Sequence, residues 1–91
     1  MALINITRKH NIPLTDIKLK IDAIAIELKE EYQLQSEWED NCLFFRRKGA
    51  SGSIEVDTQQ FELNLVLGAM FNTVKNKIEK DVTAIVDSQL I

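Results

Sequence analysis

The chain predicts an α+β fold: a five-stranded antiparallel sheet in the element order β-α-β-β-β-β-α, with both helices packed on one face. Three observations carry this expectation. Residues 34–68 hold runs of strict apolar/polar alternation, the period of a half-buried strand. Short clusters of turn residues break those runs. An amphipathic helical pattern lies on each side of the block.

The first strand reads as Leu3 to His10, with Ile4 and Ile6 on one face and Arg8 and His10 continuing that parity. Asn11-Ile12-Pro13-Leu14 breaks it. Thr15 is the expected N-cap of a helix from Asp16 to Tyr32, and Asp16 suits the positive end of the helix dipole. Ile17, Ile21, Ile24, Leu28 and Tyr32 form the apolar stripe. At 100° per residue Leu19 and Ile26 fall on the opposite face, which makes them candidates for a second contact such as a homodimer. Lys18 and Lys20 near the start, and Glu27, Glu30 and Glu31 near the end, both oppose the dipole.

Leu34 to Glu39 is the second strand, and Asp40-Asn41 tolerates the positive φ of a two-residue hairpin turn. Cys42 to Lys48 follows, then an expected turn over Gly49 to Gly52. Ser53 to Asp57 is the fourth strand, Thr58-Gln59-Gln60 the next turn, and Phe61 to Leu67 the fifth strand. Gly68 ends it. The second helix is expected to start near Asn72, as a cap, and to run to about Gln89 with Val74, Ile78, Val82 and Ile85 inward. Pairing the first strand with the last makes every neighbour antiparallel and gives the order 2-3-4-5-1. The sheet is expected to curl around the C-terminal helix and leave a small pocket between them.

With 91 residues the chain is one domain, 1–91. Its net charge of −3 argues against a nucleic-acid partner, because phosphate binding needs clustered basic residues. A single cysteine, Cys42, forbids an internal disulfide and fits a reducing compartment. No apolar run approaches a membrane span, and no signal-peptide pattern opens the sequence, so a cytoplasmic location is expected.

Candidate binding residues are few. Arg8 and His10, with Arg47 on the parity of Leu43 and Phe45, could place cationic groups at the rim of the apolar face and hold a carboxylate or another anion. Trp38 is either a packing anchor beside the Asp40-Asn41 turn or a partner contact. Phe44, with Cys42 and Val66, forms a small apolar patch on the outer face, a possible interface. Cys42 and the lone His10 lie on opposite parities, so they make no nucleophile–base pair. Nothing indicates catalytic residues, a metal site or a cofactor, and one histidine without a second ligand does not hold a metal.

The order and spacing of these residues resemble a known family. Ile4-x-Ile6-x-Arg8-x-His10, Leu14, a helix ending near Tyr32, Trp38-Glu39, Leu43-x-Phe45-x-Arg47-x-Gly49-Ala50-x-Gly52 and Leu67-Gly68 before the Lys75-bearing helix look like the polyhydroxyalkanoic acid system proteins, also called the polyhydroxyalkanoate granule region family. The resemblance spans nearly the whole chain. Thr73 stands where a proline is usual, and Asp40 where a glycine is. The resemblance implies a cytoplasmic bacterial accessory protein without established catalytic residues, acting on polyhydroxyalkanoate granules or granule proteins. The alternative expectation is a small acyl-ligand binder or enzyme with the helix–sheet pocket as its site and Arg8, His10 and Arg47 at its mouth.

Overall fold

The computed structural model describes residues 2–90. Its elements are β1 (Ala2–Lys9), α1 (Leu14–Tyr32), β2 (Gln35–Glu39), β3 (Cys42–Arg47), β4 (Ala50–Val56), β5 (Gln60–Leu67), a 3₁₀ segment (Ala69–Val74) and α2 (Lys75–Leu90). The five strands form one antiparallel sheet in the order β1-β5-β4-β3-β2. This is the expected α+β architecture, with the first strand beside the last.

Period-two alternation sets what each strand buries. Ile4, Ile6, Leu43, Phe45, Ile54, Val56, Phe61, Leu63, Leu65 and Leu67 all point into one core, while their neighbours lie on the open face. Ile17, Ile21, Ile24, Ala25 and Leu28 of α1 and Ile78, Val82 and Val86 of α2 complete that core from the other side. The two helices therefore cover one face and leave the other uncovered. Each fully buried aliphatic or aromatic side chain contributes about 1.5–3 kcal/mol of transfer free energy.

Three local expectations are corrected. Thr15 does not cap α1: the helix begins two residues earlier, at Leu14 with Pro13 as its N-cap, and the Pro13 carbonyl accepts the Ile17 N–H at 2.9 Å. Pro13 has no N–H to satisfy, so it serves at the helix start without a side-chain cap. The helix ends as expected at Tyr32, because Gln33 takes the left-handed conformation at φ 61° and returns its N–H to the Lys29 carbonyl.

The β3–β4 turn is only Lys48-Gly49, not Gly49 to Gly52. Arg47 pairs with Ala50, and Gly49 alone supplies the positive φ of 84°. Gly52 lies inside β4, opposite Phe45 and Leu65. A Cβ there would overlap the Asn64 carbonyl oxygen and sit 3.0 Å from Leu65 Cα. The glycine therefore serves a close approach of β4 to β5.

The second helix starts at Lys75 rather than near Asn72, which falls within the 3₁₀ segment. Val74, expected inward, is exposed, and Val86 takes a place in the core. The tighter winding of this segment starts with the Phe71 N–H bonding to the Gly68 carbonyl. Phe71 then packs against the core.

Candidate functional site

Arg8 and Arg47 share a parity but not a place. Arg8 pairs with Phe61 at the start of β5. Arg47 pairs with Ala50, which pairs with Leu67 at the end of β5. Six residues of strand separate the two levels, or about 20 Å. The expected mouth of Arg8, His10 and Arg47 is therefore not formed: parity assigns a face, and antiparallel register assigns the position along it.

Each of these side chains is engaged by its own chain. The Arg8 Nε donates to Asp87 Oδ1 at 2.8 Å, and its Nη1 donates to the Thr7 carbonyl at 3.0 Å. The Arg8 hydrogen bond holds the Asp87 carboxyl below its ordinary range. His10 accepts the Ile12 N–H on Nδ1 at 3.0 Å, which assigns the neutral ring's proton to Nε2. That Nε2 is buried and has no partner among the described residues.

Arg47 closes the opposite end of the molecule. Its Nη1 donates to the Tyr32 carbonyl at 2.8 Å, satisfying one of the orphan acceptors at the C-terminus of α1. Its guanidinium lies 5.0 Å from the Phe71 ring centroid, within cation–π range. Arg47 thus joins α1, β3 and the 3₁₀ segment.

Trp38 on β2 donates from Nε1 to Asp22 Oδ1 at 2.7 Å, and Lys18 Nζ sits 5.2 Å from its ring. These contacts tie the edge strand to α1. The sequence held no direct sign of either partner, because Asp22 and Lys18 are 16 and 20 residues away and read only as solvated charges.

The helix–sheet interface is nearly closed. A cavity of about 10 Å³ lies among Tyr32, Leu34, Arg47, Leu65, Phe71 and Ile78. That is room for about one water, whereas small-molecule pockets run to about 300–1,000 Å³. The expected acyl pocket is filled because Phe71 and Tyr32 fold over the end of the sheet and Arg47 packs between them. Tyr32 in turn donates to Asp81 Oδ2 at 2.7 Å, and burial pushes its phenol up from the ordinary range.

The remaining candidates are exposed. Leu19 is 67% and Ile26 59% exposed on the outer face of α1, and Phe44 is 45% exposed on the open face of the sheet. Cys42, on the same face, has its thiol pushed up by burial and then by Glu55, which keeps it protonated and a poor nucleophile. Three further apolar residues are exposed: Leu3 and Met70, which the sequence did not single out, and Val74, which it placed inward. The strand parity of Leu3 could have signalled it; the position of Val74 could not, because it depends on where α2 begins. Among the described residues no three of His, Cys, Asp or Glu converge to hold a metal ion, and no helix is long and apolar enough to cross a membrane.

The geometry defines a small α+β domain with a closed core, whose candidate polar residues brace its own framework and whose uncommitted features are surface ones. Residues 4–90 match the family model described as "Putative polyhydroxyalkanoic acid system protein", and the chain belongs to that family. No curated protein matches the chain.

Proposed function

We propose that the protein is a non-enzymatic accessory protein of the bacterial polyhydroxyalkanoate system, which acts in the cytoplasm by binding the granule surface or a protein on it. The observation that carries this reading is the family match over residues 4–90. Two features support it. The cavity between the helices and the sheet, among Tyr32, Arg47 and Phe71, is about 10 Å³, far below the size of a small-molecule pocket. Large apolar side chains are instead presented outward, Leu19 and Ile26 on α1 and Phe44 on the sheet, as an interaction protein requires.

Co-sedimentation with isolated granules tests the reading. The protein is expected in the granule fraction, and Leu19→Ser with Ile26→Ser, or Phe44→Ser, is expected to lower its recovery. Recovery only in the supernatant at every salt and protein concentration would overturn it. Self-association through Leu19 and Ile26 belongs to the same proposal. Sedimentation velocity is expected to show a dimer that the double variant converts to monomer.

A further inference from the structure

The two edges of the sheet differ. β1 lies at one end of the strand order and β2 at the other, so each turns one row of backbone groups outward. Bonds at the strand ends fix which residues supply those rows. The His10 N–H bonds the Gln59 carbonyl, the Asp57 N–H the Gln60 carbonyl, and the Val56 N–H the Asn41 carbonyl. With the strand registers, these set Ile4, Ile6 and Arg8 bonding inward to β5 and leave Leu3, Asn5, Thr7 and Lys9 turned outward. On β2 the same alternation turns Ser36 and Trp38 outward. The Thr7 carbonyl accepts Arg8 Nη1 at 3.0 Å, and a carbonyl has a second lone pair to offer.

The β2 edge is short and guarded. It spans only Gln35–Glu39. Pairing Trp38 with Ser36 or Trp38 of another copy brings Glu37 against a second Glu37 or against Glu39, and like charges directly opposite repel. β1 runs from Ala2 to Lys9 with no proline and no carboxylate, and its register to β5 is unbroken.

The outward row of β1 is also self-complementary. Antiparallel pairing of two β1 strands about Ile6 sets Leu3 opposite Lys9 and Asn5 opposite Thr7. Every outward residue then finds a partner, and no like charges meet. These side chains all lie on the open face, so the helix layers of the two copies fall on the same side. Pairing β1 with β2 of another copy would instead join the open face of one to the helix face of the other, because Trp38 turns toward α1 and bonds Asp22.

The helix layer matches the same two-fold. The 3₁₀ segment follows Leu67, which pairs with Ala2, and Asp87 meets Arg8, so α2 runs alongside β1 in the same direction. Asn76, Lys80, Thr83 and Asp87 recur at helical spacing on the side of α2 that Asp87 turns to β1. Lys80 is exposed and in no salt bridge among the described residues. A two-fold at Ile6 sets the two α2 helices antiparallel, with Lys80 of each toward Asp87 of the other.

We propose that β1 is a self-pairing edge, through which two copies of the chain join antiparallel into one continuous sheet. About 7 residues a side would pair, against roughly 20–30 in a standard interface, so the contact is weak and fills only at high concentration. It is separate from the α1 contact through Leu19 and Ile26, and it does not require the polyhydroxyalkanoate reading.

The test uses the full chain carrying Leu19→Ser and Ile26→Ser, which removes the α1 contact. Sedimentation equilibrium up to roughly 0.5 mM is expected to show monomer passing to dimer. Thr7→Pro deletes one outward N–H at an edge position that admits proline. Asn5→Lys with Thr7→Lys sets like charges opposite each other at the central pairs. Each is expected to raise the dissociation constant about tenfold or more, while Ser36→Pro on β2 leaves it unchanged. Thermal melts show which variants fold, and the lysine variant carries the test if the proline one does not. The register is read by oxidation in a Cys42→Ser background. Chains with Asn5→Cys mixed with chains with Thr7→Cys are expected to crosslink several times more than either alone, because opposed bonded residues have Cα atoms about 5.5 Å apart, within disulfide reach.

Monomer at every concentration, a dimer indifferent to the β1 variants, a dimer abolished by Ser36→Pro, or crosslinking no better in the mixture would overturn the proposal. Granule recovery is measured apart from these. Chain recovered on granules without the β1 dimer leaves the granule reading standing alone, and a β1 dimer without granule recovery leaves this one.

Discussion

Replacing Gly52 by alanine should destabilise the protein, although the usual effect in a strand has the opposite sign. Alanine in place of a strand-interior glycine normally gains roughly 0.5–1 kcal/mol by restricting the unfolded chain. Here the added Cβ would overlap the Asn64 carbonyl oxygen and press on Leu65 Cα at 3.0 Å. Both obstacles are backbone, in β5, so neither can turn aside as a side chain could. β4 is also held on its other edge by β3, through Phe45 opposite Gly52. Overpacking against such a frame costs about 1–3 kcal/mol, and the upper part of that range applies where the neighbour cannot move. For a domain of this size 2–3 kcal/mol lowers the melting temperature by roughly 8–20 °C. Urea unfolding followed by far-ultraviolet circular dichroism measures it, with Ser51→Ala, on the exposed face of the same strand, as control. A Gly52→Ala midpoint equal to or above wild type would refute the close approach of β4 to β5.

Other outcomes follow from the same structure. Phe61→Ala empties a fully buried position on β5 and should cost about 3–5 kcal/mol, a large share of a small domain's stability, read as a lowered urea midpoint by circular dichroism. Asp87→Asn should cost less than about 1 kcal/mol, because the Arg8–Asp87 pair is one-third to one-half exposed and solvent screens it. The Asp87 carboxyl titrates lower folded than unfolded, so its stabilisation is full above the unfolded value of about 3.9 and disappears as pH falls through the folded one. Denaturation midpoints of wild type and Asp87→Asn should therefore differ at pH 6 and converge in strong acid. Cys42 should react with a maleimide more slowly than free cysteine at neutral pH and accelerate only at pH above the ordinary thiol value, as mass spectrometry of timed aliquots would show.

The strands were legible because a two-residue period separates the faces of a sheet without reference to anything distant. Ile4 and Ile6, Ile54 and Val56, and Phe61 through Leu67 carry that period plainly, and the antiparallel order followed from it. Errors arose where the deciding contact is non-local. Gly49 and Gly52 look alike in sequence, yet one makes the turn and the other admits a neighbouring backbone. Asn72 looks like a helix cap, but the packing of Met70 on the Lys48-Gly49 turn and of Phe71 on Arg47 holds that stretch in a tighter 3₁₀ winding. The grouping of Arg8 with Arg47 failed for the same reason, since the distance between them is set by the registers of β1, β5, β4 and β3 together.

The place of β1 beside β5 has a consequence for the order in which a nascent chain can fold. Ala2 meets Leu67, so β1 leaves the ribosome before its sheet partner and stays unpaired until β5 has also emerged. The hairpins from β2 to β5 can zip locally, each with a short turn, while β1 waits as an unpaired segment bearing Ile4 and Ile6. Until β1 arrives, β5 is itself a bare edge, with Phe61, Leu63 and Leu65 facing an unfinished core. The interval between completing β5 and seating β1 is thus when the chain is most prone to pair with another copy of itself.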